Sequence, residues 1–136
     1  PADRLTWVAG ELAARTLGAT RLAETWIHTG DIAAGLEVQL VPADRLWHVA
    51  RLAWRTIPYA FRREGLEPPA PVAFELTAPS GCAWTFGDDA EPTTVIRGAG
   101  YDLCRVAGRR VPAADTGLTW DGPDGARVLA LIRTWA

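Results

Sequence analysis

Apolar positions recur with two different periods along this chain, and the change falls at a single point. From Glu11 to about Leu36 there is no proline, and the segment reads as helix. Arg45 to Arg63 forms a second helical stretch, with Asp44 behind Pro42 as its N-cap candidate and Gly65 as its stop. On it Leu46, Val49, Ala53, Ile57 and Ala60 make one apolar stripe, with Trp47, Trp54 and Phe61 beside it. His48, Arg51, Arg55 and Arg62 fall on the other side. Pro58 has no amide proton to donate, so it should kink or shorten this helix. The run Glu67, Pro68, Pro69, Ala70, Pro71 cannot continue a helix and reads as a short, stiff linker.

After the linker the period drops to two. Val72, Phe74 and Leu76 alternate with Ala73, Glu75 and Thr77. Pro79, Ser80 and Gly81 supply turn chemistry, and Cys82, Trp84 and Phe86 alternate beyond it, which predicts a hairpin ended by Gly87, Asp88 and Asp89. Thr93 to Arg97 reads as a third short strand and Tyr101 to Arg110 as a short helix. Leu118 to Trp120 reads as a fourth strand, and a loop from Asp121 to Gly125 leads into a last helix, Ala126 to Trp135. The fold class that follows is α+β: helices over residues 1–66, then a small α+β unit with an antiparallel sheet over residues 67–136.

Composition narrows the function classes. The 136 residues, 49% of them apolar, suit one domain or two small units sharing a core. No apolar run approaches the ~20 residues of a membrane span, and no secretory signal opens the chain, so a cytoplasmic protein without a membrane partner is expected. The net charge of −2 and the lack of a basic block argue against nucleic acid as the main partner. Every cation other than histidine is arginine, a compositional bias that says nothing about mechanism. The chain contains no Met and opens Pro1, Ala2, Asp3, as an excised domain or truncated reading frame would; removal of an initiator Met before the small Pro1 is the alternative. Cys82 and Cys104 fit no zinc or redox spacing and read as two isolated thiols, with a structural disulfide as the alternative.

The segment with chemical content runs from Arg21 to Asp31. On a helix, Glu24 and His28 are four apart and share a face, and Asp31 follows one turn later. Ala23, Ile27 and Ala34 lie to one side of this line, Ile32 to the other, and Leu22, Trp26, Ala33 and Leu36 cover the back. A helix apolar nearly all round is expected to be buried, and buried ionisable groups need partners or a metal. A carboxylate and an imidazole at this spacing can chelate one divalent ion, zinc first, then iron, nickel or manganese, with Asp31 orienting a ligand from behind. A plain Glu–His ion pair or a solvated helix face is the plainer reading. His48, the only other histidine, shares a face with Arg51 and Arg55, which favours a solvated role.

The stretch Arg21 to Ile32 resembles the metal helix of the mycothiol-dependent maleylpyruvate isomerase family, a branch of the DinB-like thiol-dependent enzymes. Glu24 and His28 match its Glu-x-x-x-His pair, and Asp31 matches the Asp that follows. Trp84 to Gly87, Ile96 to Gly98 and Tyr101 to Arg110 are similar to the family's C-terminal domain, so the resemblance covers nearly the whole chain. It implies the terminal helices of a DinB-like bundle followed by a sterol-carrier-like α+β domain. It also implies a divalent metal, usually zinc, mycothiol as cosubstrate, and a small electrophilic carboxylate as substrate. The chemistry would be thiol addition to an activated double bond, rotation and elimination, or transfer of the thiol to another electrophile. The family's third ligand is a histidine on an earlier helix, and no histidine precedes Glu24 here, so the first bundle helices and that ligand are expected to be missing. Arg109 matches a family arginine placed after the short C-terminal helix, where a guanidinium fork can take a substrate carboxylate. The competing reading of Arg109 is a helix-end cation on free carbonyls, and Arg110 is the neighbouring candidate. Three other readings stay open: a non-catalytic metal-binding protein on the same scaffold, a small-ligand or lipid carrier using Trp84, Phe86 and Leu103, and a bare interaction fragment that leaves Glu24 and His28 exposed and metal-free.

Overall fold

A computed structural model describes residues 4–7, 10–88 and 90–134. Pro1 to Asp3, Asp89 and Trp135, all used in the sequence reading, lie outside the described residues. The architecture is α+β. Strands β1 (Arg4–Trp7) and β2 (Gly10–Ala13) form an antiparallel pair, and α1 (Ala14–Gly35) follows directly. The helix expected from Glu11 therefore starts at Ala14. Residues 10–13 bond across the hairpin instead, a short run whose periodicity did not distinguish strand from helix.

The second helical stretch divides into α2 (Trp47–Arg55) and α3 (Ile57–Arg63), broken at Thr56. Pro58 sits in the first turn of α3, where its missing N–H removes no helical bond. The Thr56 hydroxyl lies 2.7 Å from the Arg133 carbonyl, tying this break to the end of the chain. The predicted stripe is the buried face: Leu46, Val49, Ala53, Ile57 and Ala60 are all buried, as is Phe61 beside it. Asp44, expected as an N-cap, makes no such cap. Its carboxylate accepts the Ser80 N–H at 3.1 Å and the Ser80 hydroxyl at 2.5 Å, so it fastens the helix start to the hairpin turn.

Strands β3 (Val72–Thr77), β4 (Ala83–Phe86), β5 (Thr94–Ala99) and β6 (Thr119–Asp121) form a sheet in the order β4-β3-β5-β6. It is mixed, which corrects the expected antiparallel sheet: β3 and β5 pair in parallel, Phe74 opposite Ile96. The topology explains how so short a link makes a parallel pair. The β3–β4 hairpin brings the chain back to the starting end of β3, and the Thr93 N–H bonds the Pro71 carbonyl there at 2.9 Å, so β5 enters beside β3 without a helical crossover.

Phe74, Leu76, Trp84, Phe86 and Ile96 pack in one buried cluster with Leu46, Val49, Ile57 and Phe61 from the helical half. Leu103 and Val106 of α4 (Gly100–Ala107) and Val128 of α5 (Gly125–Leu131) complete it. The Trp54 indole donates to the Val72 carbonyl at 2.8 Å, a second tie between the halves. Opposite the core, Arg97 bridges β3 and β6 through Glu75 (2.7 Å) and Asp121 (2.5 Å). Helix α4 ends with Arg109 at φ +60°, where the Arg110 N–H reaches back to the Arg105 carbonyl and the Arg109 N–H to that of Val106. This left-handed closure, unusual for a residue other than glycine, turns two consecutive arginines in different directions.

Candidate functional site

Helix α1 was expected to be buried nearly all round and is not. It buries Ala23, Ile27 and Ala33, whereas Ile32 (65% exposed) and Leu36 (69%) face outward. It packs mainly on α2, and the side that carries Ile32 and Leu36 is open. Glu24, His28 and Asp31 lie on that open side, with side-chain exposures of 31%, 64% and 40%. The desolvation argument for a metal therefore fails in this chain, and the case rests on geometry.

The geometry is ordered. His28 Nε2 lies 3.5 Å from Glu24 Oε2, and His28 Nδ1 lies 3.3 Å from Asp31 Oδ2. Each ring nitrogen thus faces one carboxylate. Arg110 clamps Asp31 from the far end of α4, Nε on Oδ1 and Nη2 on Oδ2, both at 2.6 Å. A third donor, Nη1, reaches the Gly108 carbonyl at 2.8 Å and fixes the guanidinium plane. These bonds hold the Asp31 carboxyl below its ordinary pKa of 3.8; those from Arg110 are the largest cause, partial burial opposes them, and the His28 contact adds a smaller lowering effect.

The structure brings Glu24, His28 and Asp31 together and adds Arg110, while Arg109 goes elsewhere. Its Nη1 donates to the Ala130 carbonyl of α5 at 2.6 Å. Only the left-handed turn at Arg109 decides which guanidinium faces α1, and adjacent arginines in a sequence carry no signal for it. A cleft of about 600 Å³ adjoins the clamp, with Asp31, Arg110, Arg105, Tyr101 and Trp26 in its wall. Trp84, Phe86 and Leu103, the expected wall of a lipid pocket, are buried members of the core cluster. Both cysteines are free, Cys82 exposed and Cys104 buried, as the isolated-thiol reading held.

Among the described residues, no group of three or more His, Cys, Asp or Glu side chains is arranged to hold a metal ion. Glu24 and His28 supply two donors of suitable chemistry. A carboxylate oxygen and an imidazole nitrogen on one tetrahedral zinc stand about 3.4 Å apart, given bonds of about 2.1 Å. The observed 3.5 Å between Glu24 Oε2 and His28 Nε2 is close to that spacing. The Asp31 contact behind the ring is the kind of outer partner that fixes a ligand histidine's tautomer.

No protein-family model matches the chain. Two uncharacterized proteins from two strains of Mycobacterium tuberculosis are each 32% identical to it over 134 residues, 98% of this chain and 52% of theirs. The chain therefore spans about half the length of the curated relatives it matches.

Proposed function

We propose that the chain is the metal-helix and C-terminal part of a cytoplasmic, thiol-dependent isomerase or transferase of the mycothiol-dependent maleylpyruvate isomerase kind. In this reading α1 to α3 are terminal helices of a DinB-like bundle, and residues 67–136 are a sterol-carrier-like domain. The observation that carries it is the bracketing of His28, with Glu24 at one ring nitrogen and Asp31 at the other. An accidental Glu–His pair needs no second carboxylate on the far nitrogen and no guanidinium clamping that carboxylate.

Glu24 and His28 would hold a divalent ion, zinc first, and the third donor would come from outside the described residues. The chemistry such an ion supplies when bound is to keep a thiol, here that of mycothiol, ionised near neutral pH. With its proton on Nδ1, His28 would donate to Asp31, 3.3 Å away, and leave Nε2 free to ligate. Arg110 keeps Asp31 ionised and in place. An electrophilic carboxylate substrate has room in the cleft beside Asp31 and Arg110. To bind its carboxylate, Arg109 would first have to leave the Ala130 carbonyl.

The test is elemental analysis of a full-length protein that includes this chain, beside the same protein with Glu24→Ala and His28→Ala. About one zinc per parent molecule and little on the double variant is the expected result. Equal metal content in the two would overturn the assignment of these ligands.

A further inference from the structure

The opposite side of α1 carries a second constellation. At about 100° per residue, Arg15, Ala19 and Leu22 lie roughly half a turn around the helix from Glu24 and His28. There a cleft of about 560 Å³ opens between the first half of α1 and α2. Arg15 lines it from α1, and Arg51, Arg55 and His48 from α2, with Trp47 and Leu52 forming apolar wall. No Asp or Glu is among the residues that line it.

The charge in this cleft is unbalanced. Arg97, Arg105, Arg110 and Arg133 each stand against a carboxylate. Among the described residues Arg15, Arg51 and Arg55 have no such partner. Arg51 and Arg55 sit four apart on one helix, a like-charge spacing that opposes folding, and Arg15 brings a third cation from the facing helix. The chain as a whole is acidic, at −2, so the concentration is local. The Arg51 guanidinium lies 5.6 Å from the centre of the Trp47 ring, a contact that leaves its N–H fork available.

We propose that this cleft binds a small molecule bearing two or more negative charges as carboxylate or phosphate groups. A guanidinium fork matches either group with two parallel hydrogen bonds, and three forks favour a multiply charged ligand. The volume falls in the range of about 300–1,000 Å³ usual for small-molecule sites. Leu52 and the Trp47 edge can cover an apolar body between the anionic groups. A nucleic-acid backbone is the poorer fit, because it needs a basic stripe along the surface rather than one local cluster. The inference is independent of the thiol–metal reading.

Calorimetric titration of the chain at constant ionic strength, once with sodium pyrophosphate and once with sodium succinate, tests it. The expected result is saturable one-site binding of at least one probe. The Arg51→Gln/Arg55→Gln variant should bind about tenfold more weakly or worse. Arg15→Gln, on the facing helix, should weaken it as well, and Arg62→Gln, outside the cleft, should bind as the parent does. Tighter pyrophosphate points to a phosphate ligand, tighter succinate to a dicarboxylate. Each variant is checked by its thermal unfolding, so that lost binding is not lost fold. Non-saturating titrations with both probes, or unchanged binding in the double and Arg15→Gln variants, would overturn the proposal.

Discussion

Cys104 and Cys82 show how one residue type takes two fates here. The Cys104 thiol is fully buried and 3.6 Å from the Leu46 carbonyl, and burial pushes its pKa well above the ordinary 9.0. A disulfide reagent should modify one thiol quickly in the native protein, at Cys82, and the second only in denaturant. The same burial sets a pH dependence. A group whose pKa rises on folding contributes stability that is full below its unfolded value and is lost as pH climbs toward the folded one. Denaturant midpoints should therefore fall more steeply above about pH 9 in the parent than in Cys104→Ala; equal slopes would contradict this. Gly100 makes a different residue-scale prediction. A Cβ there would stand 2.6 Å from Trp84 Cζ3, inside the core, so Gly100→Ala should destabilise by about 1–3 kcal/mol in urea unfolding.

Between elements, a few polar ties set the geometry that packing leaves free. The Trp54 indole supplies a hydrogen bond to the Val72 carbonyl where β3 begins. Trp54→Phe keeps most of the ring and orphans that acceptor, and a loss of about 1–3 kcal/mol is expected on chemical denaturation. The Arg110–Asp31 clamp does the same for α1 and α4. Arg110→Gln should speed hydrogen exchange in the last turns of α1 and leave the sheet unaffected; uniform acceleration would mean that the clamp is not a local device.

At the scale of the molecule, one buried cluster contains residues from both sides of the proline-rich linker. Leu46 to Phe61 cannot lose their partners on the sheet without exposing much of the same core. The chain should unfold in one transition, with far-ultraviolet dichroism and tryptophan fluorescence coinciding. Two separated transitions would show that residues 1–66 and 67–136 are stable independently. The open side of α1 belongs to this scale too: Ile32 and Leu36 remain in solvent because no described element packs over them.

What the amino-acid order determined by itself was local. The apolar stripe from Leu46 to Ala60, the helix break just before Pro58 and the hairpin around Ser80 follow from periods and turn chemistry that act over a few residues. The shared face of Glu24, His28 and Asp31 is equally local, being helix geometry alone. Tertiary structure decided the rest. The parallel partner of β3 depends on where the chain re-enters the sheet, and the exposure of α1 depends on what lies across from it. Arg110 rather than Arg109 meets Asp31 beyond a left-handed residue, and the three arginines of the second cleft line one space only once α1 and α2 are packed. The physical reason is the same in each case: periodicity places a side chain on a face, and only packing between distant segments determines what that face meets.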